Sequence, residues 1–272
     1  MKTRIISAAV ASALVIIVLI FRLTIALPIF IALAGSIAVF EIFRAVGSQV
    51  NIPFFISSFV FSIVTPLAAR GIIPVAFSSM VYIYFALFAA SLVLKFNPEI
   101  LPKIFITFVM VCSVVFGLST AIVMIDWQFG MFYFLLAAFA AFISDTGAYF
   151  VGSAVGKTKL APAVSPKKTV EGAIGGFISA IIVCIAFAYI YAAIFCKNGE
   201  TVRVLPVIIC TLLASAGGMI GDLFASSVKR TYNIKDYGTL MPGHGGIMDR
   251  CDSLAVSLPI VMLFAQQVML LG

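Results

Sequence analysis

Four aspartates in the second half of the chain have the residue type and the setting for metal or phosphate chemistry. Asp145, in "AAFISDTGAYFVG", and Asp222, in "AGGMIGDLFASSVKR", interrupt strongly apolar sequence. A carboxylate at mid-bilayer costs at least about 2.5–3.5 kcal/mol on insertion scales, so it normally faces a partner or a wet cavity. Asp249 and Asp252 lie three residues apart in "IMDRCDSLAV". Asp222 and Asp249 could converge from different helices on a hard divalent cation such as magnesium, and Asp145 and Asp252 are further candidates.

These acids also have structural interpretations. Asp145 could pair with a basic residue, or it could stay protonated and neutral. Asp252 could cap the N-terminus of the last helix. If that helix begins earlier, Asp249 and Asp252 share one of its faces. Asp249, which Arg250 follows, is harder to explain as a cap.

Basic residues accompany these acids in two places. On a helix, Asp222, Ser226, Lys229 and Arg230 lie on one face, which runs from an acid in the membrane to two cations at its surface. Lys229 and Arg230 alone would be a membrane-surface anchor. In "SPKKTVEG", residues 165–172, two lysines stand just before a predicted helix start, where free N–H groups favour an anion. The alternative is an ordinary basic loop at the inner membrane surface. These two lysines are Lys167 and Lys168.

The single histidine of the chain, His244, lies in "GTLMPGHGGIMDRCDS". Glycines flank it, and the pair Gly245-Gly246 allows a tight turn and a close backbone approach to a phosphate. His244 has two interpretations that the sequence leaves open. It could contact a phosphate or pyrophosphate and donate a proton to the leaving group, or it could shape the loop through a hydrogen bond.

Composition predicts the elements that must position these residues. Of 272 residues, 63% are hydrophobic and 10% are charged, whereas a soluble domain carries about 25% charged residues. Membrane-spanning helices need about 20 apolar residues each. We therefore expect an all-α polytopic membrane protein with nine spans and no nucleic-acid partner. Because Pro28 lies in the second span, residues 5–43 could instead form one broken helix. The predicted spans are 5–21, 25–43, 52–69, 73–94, 104–125, 130–151, 171–195, 204–225 and 253–271.

Charge asymmetry predicts the orientation and two regions of the chain. With the N-terminus in the cytoplasm, the inner segments hold 13 of the 17 basic residues, as the positive-inside rule requires. The polar loops 152–170 and 226–252 then face the cytoplasm. Residues 1–140 hold three of the ten acids and are predicted to be a scaffold of about five spans, which allows a homodimer through these spans. Residues 141–272 are predicted to be the catalytic region.

Small residues and cysteines complete the pattern. The glycine pairs 152/156, 172/176 and 217/221 have the spacing of close helix contacts. The five cysteines show no CxxC spacing, so we expect neither a disulfide nor a zinc site.

Residues 226–253, "SSVKRTYNIKDYGTLMPGHGGIMDRCDS", resemble the C-terminal signature of the CDP-diacylglycerol synthases, or phosphatidate cytidylyltransferases. "SDTGAYFVG" at 144–152 and "SPKKTVEG" at 165–172 are similar to further segments of that family, so the resemblance covers roughly residues 140–260. One position departs from the pattern, because Cys251 replaces a bulkier apolar residue. The polar signature positions that this chain fills are Ser226, Lys229, Arg230, Lys235, Asp236, His244, Asp249, Arg250 and Asp252.

The resemblance implies that CTP reacts with phosphatidate to give CDP-diacylglycerol and pyrophosphate at the cytoplasmic (inner) cell membrane. It implies one or two magnesium ions, to which a monovalent cation could be added, and a polar cavity open to both the cytoplasm and the bilayer. The catalytic residues so implied are Asp222, Asp249, Lys167, Lys168, Arg250 and His244. Those implied to bind substrate are Ser226, Lys229, Arg230, Lys235, Asp236, Gly245, Gly246, Asp145 and Tyr149.

Two other functions remain open at this point. A cytidylyltransferase for a different membrane lipid phosphate, such as an ether-linked one, would need the same residues. A cation-coupled transporter would use Asp145 and Asp222 as ion sites, but the polar residues cluster at one membrane face, which counts against it.

Overall fold

A computed structural model of the chain describes residues 10, 13–48, 51–196, 199–241, 243 and 245–272. These residues are mostly helical, with one small antiparallel hairpin. Residues 13–20 are helical and a turn at residues 21–25 follows them. The later elements are α1 (Ala26–Val46), α2 (Ile52–Ala69), α3 (Ser79–Leu94), α4 (Leu101–Ile125), α5 (Gly130–Val155), β1 (Lys159–Ala161), β2 (Ser165–Thr169), α6 (Val170–Phe195), α7 (Val204–Thr231), α8 (Met248–Cys251) and α9 (Leu254–Gln267).

Six of the described helices are long and apolar enough to cross a membrane: α1, α2, α4, α5, α6 and α7. This confirms the predicted class, a helical polytopic membrane protein. Two predicted spans are shorter in the structure, since α3 has 16 residues and α9 has 14. The predicted span 5–21 lies partly outside the described residues. Within residues 13–46, the turn before Ala26 separates two helices.

The chain divides into two compact units. The first unit comprises residues 1–126 and 228–251, and the second comprises residues 127–227 and 252–272. This division differs from the predicted boundary at residue 140, because it groups the segment 228–251 with the N-terminal helices. The prediction that one region is a scaffold and the other catalytic is functional, and it stays a prediction.

In the first unit, α1 and α2 pack against each other and against α4. Aromatic rings fill much of the core around Tyr84, which stacks on Phe61 and Phe108 and donates or accepts a 2.7 Å hydrogen bond with the Ser58 hydroxyl. Pairing this buried hydroxyl matters, because an unpaired polar group in an apolar interior is costly. The N-terminus of α2 is capped by Asn51, whose Oδ1 accepts the Phe54 N–H at 3.2 Å.

In the second unit, α5 packs along α6, and glycines let the two helices approach closely. A Cβ on Gly172 would lie 2.7 Å from the Ala148 carbonyl oxygen, and one on Gly176 would overlap the Ser144 carbonyl. On α7, a Cβ on Gly221 would lie 2.5 Å from the Asp252 carbonyl. The glycine pairs therefore lie at helix contacts, as predicted from their spacing.

The loop between α5 and α6 forms a hairpin that the sequence analysis did not predict. Strand β1 pairs with β2, with Lys159 opposite Thr169. The end of the hairpin is fixed by the first turn of α6: Thr169 Oγ1 accepts the Gly172 N–H, and the Glu171 carboxylate accepts the N–H groups of Lys157 and Thr158, all at 3.1 Å. The expected all-α fold thus carries one small two-stranded addition.

Candidate active site

A cavity of about 460 Å³ lies within the second unit, next to the hairpin. Helix α5, both strands and the start of α6 supply its walls, and α7 contributes one side chain. The cavity is cationic on the hairpin side and acidic on the α5 side. Its lining residues are Asp145, Ala148, Tyr149, Gly152, Ser153, Lys159, Leu160, Ser165, Lys167, Lys168, Thr169, Ala173 and Met219.

Lys168 joins the two membrane-embedded aspartates of this unit. Its Nζ lies 2.5 Å from Asp222 Oδ2 and 3.9 Å from Asp145 Oδ1. The Nζ atom is itself buried, although the three side chains keep between a fifth and two fifths of their surface exposed. Ser226, one turn further along α7, donates a long 3.4 Å hydrogen bond to Asp222 Oδ1. The structure therefore pairs both predicted acids with a predicted lysine.

Lys168 is the cation that the two aspartates of this cluster share. With both aspartates ionised, the cluster would carry a net charge of −1, so one ammonium would compensate each carboxylate only in part. Asp145 and Asp222 would repel each other if Lys168 were absent. Lys159 and Lys167 line the same cavity, and Lys167 is exposed. The cavity thus presents lysines at the hairpin and the Asp145 carboxylate on α5, and Lys168 links that carboxylate to Asp222.

The chemistry of the two carboxylates fits magnesium. Magnesium binds through hard oxygen atoms and usually takes one or two carboxylates, with substrate phosphates and water as its other ligands. Asp145 and Asp222 both lie within ion-pair distance of Lys168 Nζ, so the two carboxylates are close together, and the Lys168 ammonium occupies the point that both face. Among the described residues no group of three or more acidic, histidine or cysteine side chains could hold a metal. A bound magnesium ion would therefore need oxygens from its substrate.

In the first unit, Asp249 is almost completely enclosed by hydrogen-bond donors. Lys229 Nζ donates to Asp249 Oδ1 at 2.9 Å, and the N–H groups of Tyr237 and Gly246 donate to Oδ2 at 2.8 and 3.0 Å. Only 4% of the Asp249 side chain is exposed. Lys229 also lies 5.5 Å from the centre of the Tyr237 ring, a cation–π distance. We call residues 237–249 the signature loop.

Glycines in the signature loop stand where carboxylates come close. Gly245 has φ +83°, and a Cβ there would lie 2.9 Å from Asp249 Oδ2. A Cβ on Gly246 would overlap the Glu41 carboxylate. Gly245 therefore has two observable reasons to be glycine, its positive φ and the room it leaves for Asp249, whereas Gly246 leaves room for Glu41. That Gly245 and Gly246 also approach a substrate phosphate stays a prediction.

The other predicted site residues are found as follows. Arg230, Lys235, Asp236 and Arg250 are exposed residues of the first unit, and Tyr149 is exposed at the cavity of the second. His244 lies outside the described residues. Asp249 belongs to the first unit and Asp252 to the second, and a metal shared by Asp222 and Asp249 stays a prediction.

The capping alternative for Asp252 is wrong. The N-cap of α9 is Ser253, and Asp252 Oδ1 accepts the Ser253 N–H at 2.8 Å instead. Helix α8 ends at Cys251 and α9 begins at Leu254, so Asp249 and Asp252 do not share one helix face.

Two residues of interest were missed from the sequence. Lys159 lines the cavity of the second unit; its position in the same basic loop as Lys167 was the available signal. Glu41 accepts two hydrogen bonds from the signature loop. An acid inside a predicted span is the signal for Glu41, but that span is predicted to belong to the scaffold.

The fold defines a polytopic membrane protein, and the cavity of its second unit is lined by lysines and by the Asp145 carboxylate. The chain matches the model of the cytidylyltransferase family over residues 2–268 and belongs to that family. It is 40% identical over 139 residues to the phosphatidate cytidylyltransferase of Bacillus subtilis (strain 168), covering 49% of this chain and 47% of that protein. It is 41% identical over 138 residues to the phosphatidate cytidylyltransferase of Staphylococcus aureus (strain COL), covering 51% and 50%. The matched segment spans about half the length of these relatives.

Proposed function

We propose that the protein is a phosphatidate cytidylyltransferase, which converts CTP and phosphatidate into CDP-diacylglycerol and pyrophosphate. The observation that carries the proposal is the ion-pair cluster of Lys168 with Asp145 and Asp222 at a cavity that two further lysines line. Membership of the cytidylyltransferase family and the names of the relatives support the same reaction. A transporter would not need the lysines of the hairpin.

The proposed reaction is a displacement at the α-phosphorus of CTP. A phosphate oxygen of phosphatidate forms the new P–O bond, and the bond from the α-phosphorus to the oxygen that bridges to the β-phosphorus breaks. Pyrophosphate leaves with that electron pair. The attacking phosphate is already anionic, so no strong base is required. Catalysis then depends on positioning and charge neutralisation, as in phosphoryl transfer generally.

The lysines of the cavity would neutralise charge on the two polyanions. Lys159 and Lys167 act as point charges at the hairpin. Lys168 is held by Asp145 and Asp222, so its position is fixed before substrate arrives, which limits reorganisation during the reaction. For Lys168, this positioning role requires only the ion pairs with Asp145 and Asp222 that the structure already shows.

Asp222 and Asp145 are the residues that would hold magnesium in the second unit, through oxygens other than those nearest Lys168 Nζ if that lysine keeps its position. When bound, magnesium would offset triphosphate charge and stabilise the departing pyrophosphate. Asp249 remains a further proposed ligand, although Lys229 and two backbone N–H groups already occupy its oxygens. One or two magnesium ions and an additional monovalent cation are compatible with this set of acids.

The location that we propose is the cytoplasmic (inner) cell membrane, with the active site facing the cytoplasm. The excess of lysine and arginine in the predicted inner segments supports this orientation. CTP would enter from the cytoplasm, and phosphatidate would enter from the bilayer. A homodimer through the N-terminal spans stays a prediction, which crosslinking in intact membranes tests.

Turnover by the purified protein tests the proposed function. The detergent-solubilised protein is mixed with phosphatidate, CTP and magnesium, and CDP-diacylglycerol and pyrophosphate are both quantified. We expect the two products in equal amounts, and none when diacylglycerol, which lacks the attacking phosphate, replaces phosphatidate. Absence of both products would refute the proposal. A higher kcat/KM with an ether-linked lipid phosphate would redirect it to that substrate.

Lys168→Ala is expected to lower kcat/KM for CTP by about 10–100-fold, because it removes a positioned charge that would contact a phosphate. Steady-state kinetics at varied CTP measures the change. Lys168→Arg keeps the charge and should retain more activity, and Lys95→Ala removes an exposed lysine far along the chain from the cavity and should have no effect. Unchanged kinetics for Lys168→Ala would show that the basic loop contributes to membrane orientation and not to substrate binding.

A further inference from the structure

We propose that Glu41 is a positioning residue for the signature loop. Glu41 Oε1 accepts the Ile247 N–H at 3.2 Å, and Oε2 accepts the Met248 N–H at 2.9 Å. The partners lie 206 and 207 residues apart in sequence. All three residues belong to the first unit. For its effect on turnover, this inference rests on the function proposed above.

The setting of Glu41 argues against an incidental contact. Glu41 lies in the apolar helix α1, and only 4% of its surface is exposed. A buried carboxylate is costly unless hydrogen bonds compensate it. Here each oxygen accepts one backbone N–H of the loop. Because both oxygens accept, a residue with only one acceptor oxygen cannot replace Glu41 fully.

The backbone of the signature loop is shaped to receive this carboxylate. A Cβ at Gly238 or at Gly246 would overlap the carboxyl group of Glu41. Neither glycine has a positive φ, so a left-handed backbone is not the reason for glycine there. Space for Glu41 is the reason that the structure supplies at both positions.

Glu41 and Asp249 together hold three consecutive N–H groups. The Gly246 N–H donates to Asp249, and the next two, of Ile247 and Met248, donate to Glu41. Asp249 follows directly in the chain and also accepts the Tyr237 N–H. A change at Glu41 therefore alters the segment that carries Asp249. The expected consequence is a catalytic defect that arises without contact between Glu41 and substrate.

Glu41→Gln tests the positioning role with two readouts. The amide retains one acceptor and turns an NH₂ group toward the other backbone N–H. Hydrogen exchange of the substrate-free protein is expected to speed up about tenfold or more within residues 237–248. The kcat with CTP and phosphatidate should fall by about tenfold or more, since small misplacements of catalytic groups are costly. Glu99→Gln, at an exposed acid of the same unit, should change neither value.

The combinations of outcomes separate the possible failures. Faster exchange together with normal kcat would overturn the positioning role, and so would unchanged exchange. If the wild-type protein produces no CDP-diacylglycerol, the proposed function fails, while the exchange measurement still decides whether Glu41 anchors the loop.

A second variant serves if Glu41→Gln does not accumulate in the membrane. Gly238→Ala should displace the Glu41 carboxylate from the loop side and speed up exchange within residues 237–248. Gly35→Ala, on the same helix as Glu41, adds a methyl group at ordinary contact distances and should leave exchange in this segment unchanged. Unchanged exchange in Gly238→Ala would overturn the inference.

Discussion

Asp222→Asn is expected to lower the kcat of CDP-diacylglycerol formation by about 10³-fold, the loss typical when a preorganised electrostatic group is removed from an active site. Asparagine keeps the shape of the side chain but loses the charge that faces Lys168 Nζ at 2.5 Å. It also removes one of the two carboxylates that would hold magnesium. The fold should persist, because Lys168 keeps Asp145 as a partner and all three side chains retain some solvent contact.

The measurement combines a kcat determination with a magnesium titration of the same preparations. We expect the variant to require more magnesium for half-maximal rate, while the thermal unfolding temperature stays close to that of the wild type. Asp126→Asn is the matched control, because Asp126 also forms an ion pair, with Arg70, but lies outside the cavity. It should leave both kcat and the magnesium requirement unchanged.

A double variant distinguishes two roles of Asp222. If Asp222 only orients Lys168, adding Asp222→Asn to Lys168→Met should cause little further loss. If Asp222 also binds a cation, the losses should be closer to additive. Near-normal turnover in Asp222→Asn alone would contradict both roles and would remove the cluster from the proposed site.

The acids of the second unit could be located from sequence because of the energetic cost of charge in a membrane. Asp145 and Asp222 interrupt apolar runs, and few arrangements other than pairing or a wet cavity tolerate that. Lys168 was also predicted as a site residue, because it stands two residues before a helix start. The sequence could not show that Lys168 contacts both aspartates, because these two contacts depend on the packing of α5, α7 and the hairpin.

Glu41 shows why contacts between a side chain and distant backbone groups could not be predicted from the sequence. Its partners are backbone N–H groups 206 and 207 residues later, and a backbone donor leaves no mark in the residue types. The glycines that make room for it were visible, but a glycine has several possible uses. The sequence predicts access for a phosphate at Gly246, which stays a prediction, and the structure adds that a Cβ there would overlap the Glu41 carboxylate.

The hairpin before α6 was missed for a local reason. Pro166 predicts that no helix continues through residues 165–169, but a proline does not distinguish a loop from the strand that the structure has there. Strand pairing in this segment depends on the first turn of α6, where Thr169 and Glu171 bind N–H groups on both sides of the hairpin's end. The side chains of a capping sequence were therefore the available signal.

Asp249→Asn is expected to lower kcat/KM by about 10³-fold, comparable to removing a preorganised catalytic charge, and also to loosen the signature loop. The carboxylate accepts from Lys229 through one oxygen and from Tyr237 and Gly246 through the other. The amide of asparagine has one acceptor oxygen, so it can accept either from Lys229 or from the two backbone N–H groups, but not from both. Breaking a buried charge pair by removing one partner costs about 3 kcal/mol or more. In Asp249→Asn we expect this cost to lower the stability of the signature loop. Asp249→Asn should therefore differ from Asp222→Asn in its structural effect.

Hydrogen exchange and kinetics on the same variant separate the two contributions. We expect faster exchange at Tyr237 and Gly246 in Asp249→Asn, and no such change in Asp222→Asn. Lys229→Met removes the Oδ1 partner but leaves both backbone N–H groups on Oδ2, so it should preserve the slow exchange at Tyr237 and Gly246. If Asp249→Asn keeps near-normal turnover, Asp249 is neither a metal ligand nor a determinant of the active loop. If turnover falls while exchange is unchanged, the aspartate acts on the substrates or the metal directly, and its contacts with Tyr237 and Gly246 do not control the loop.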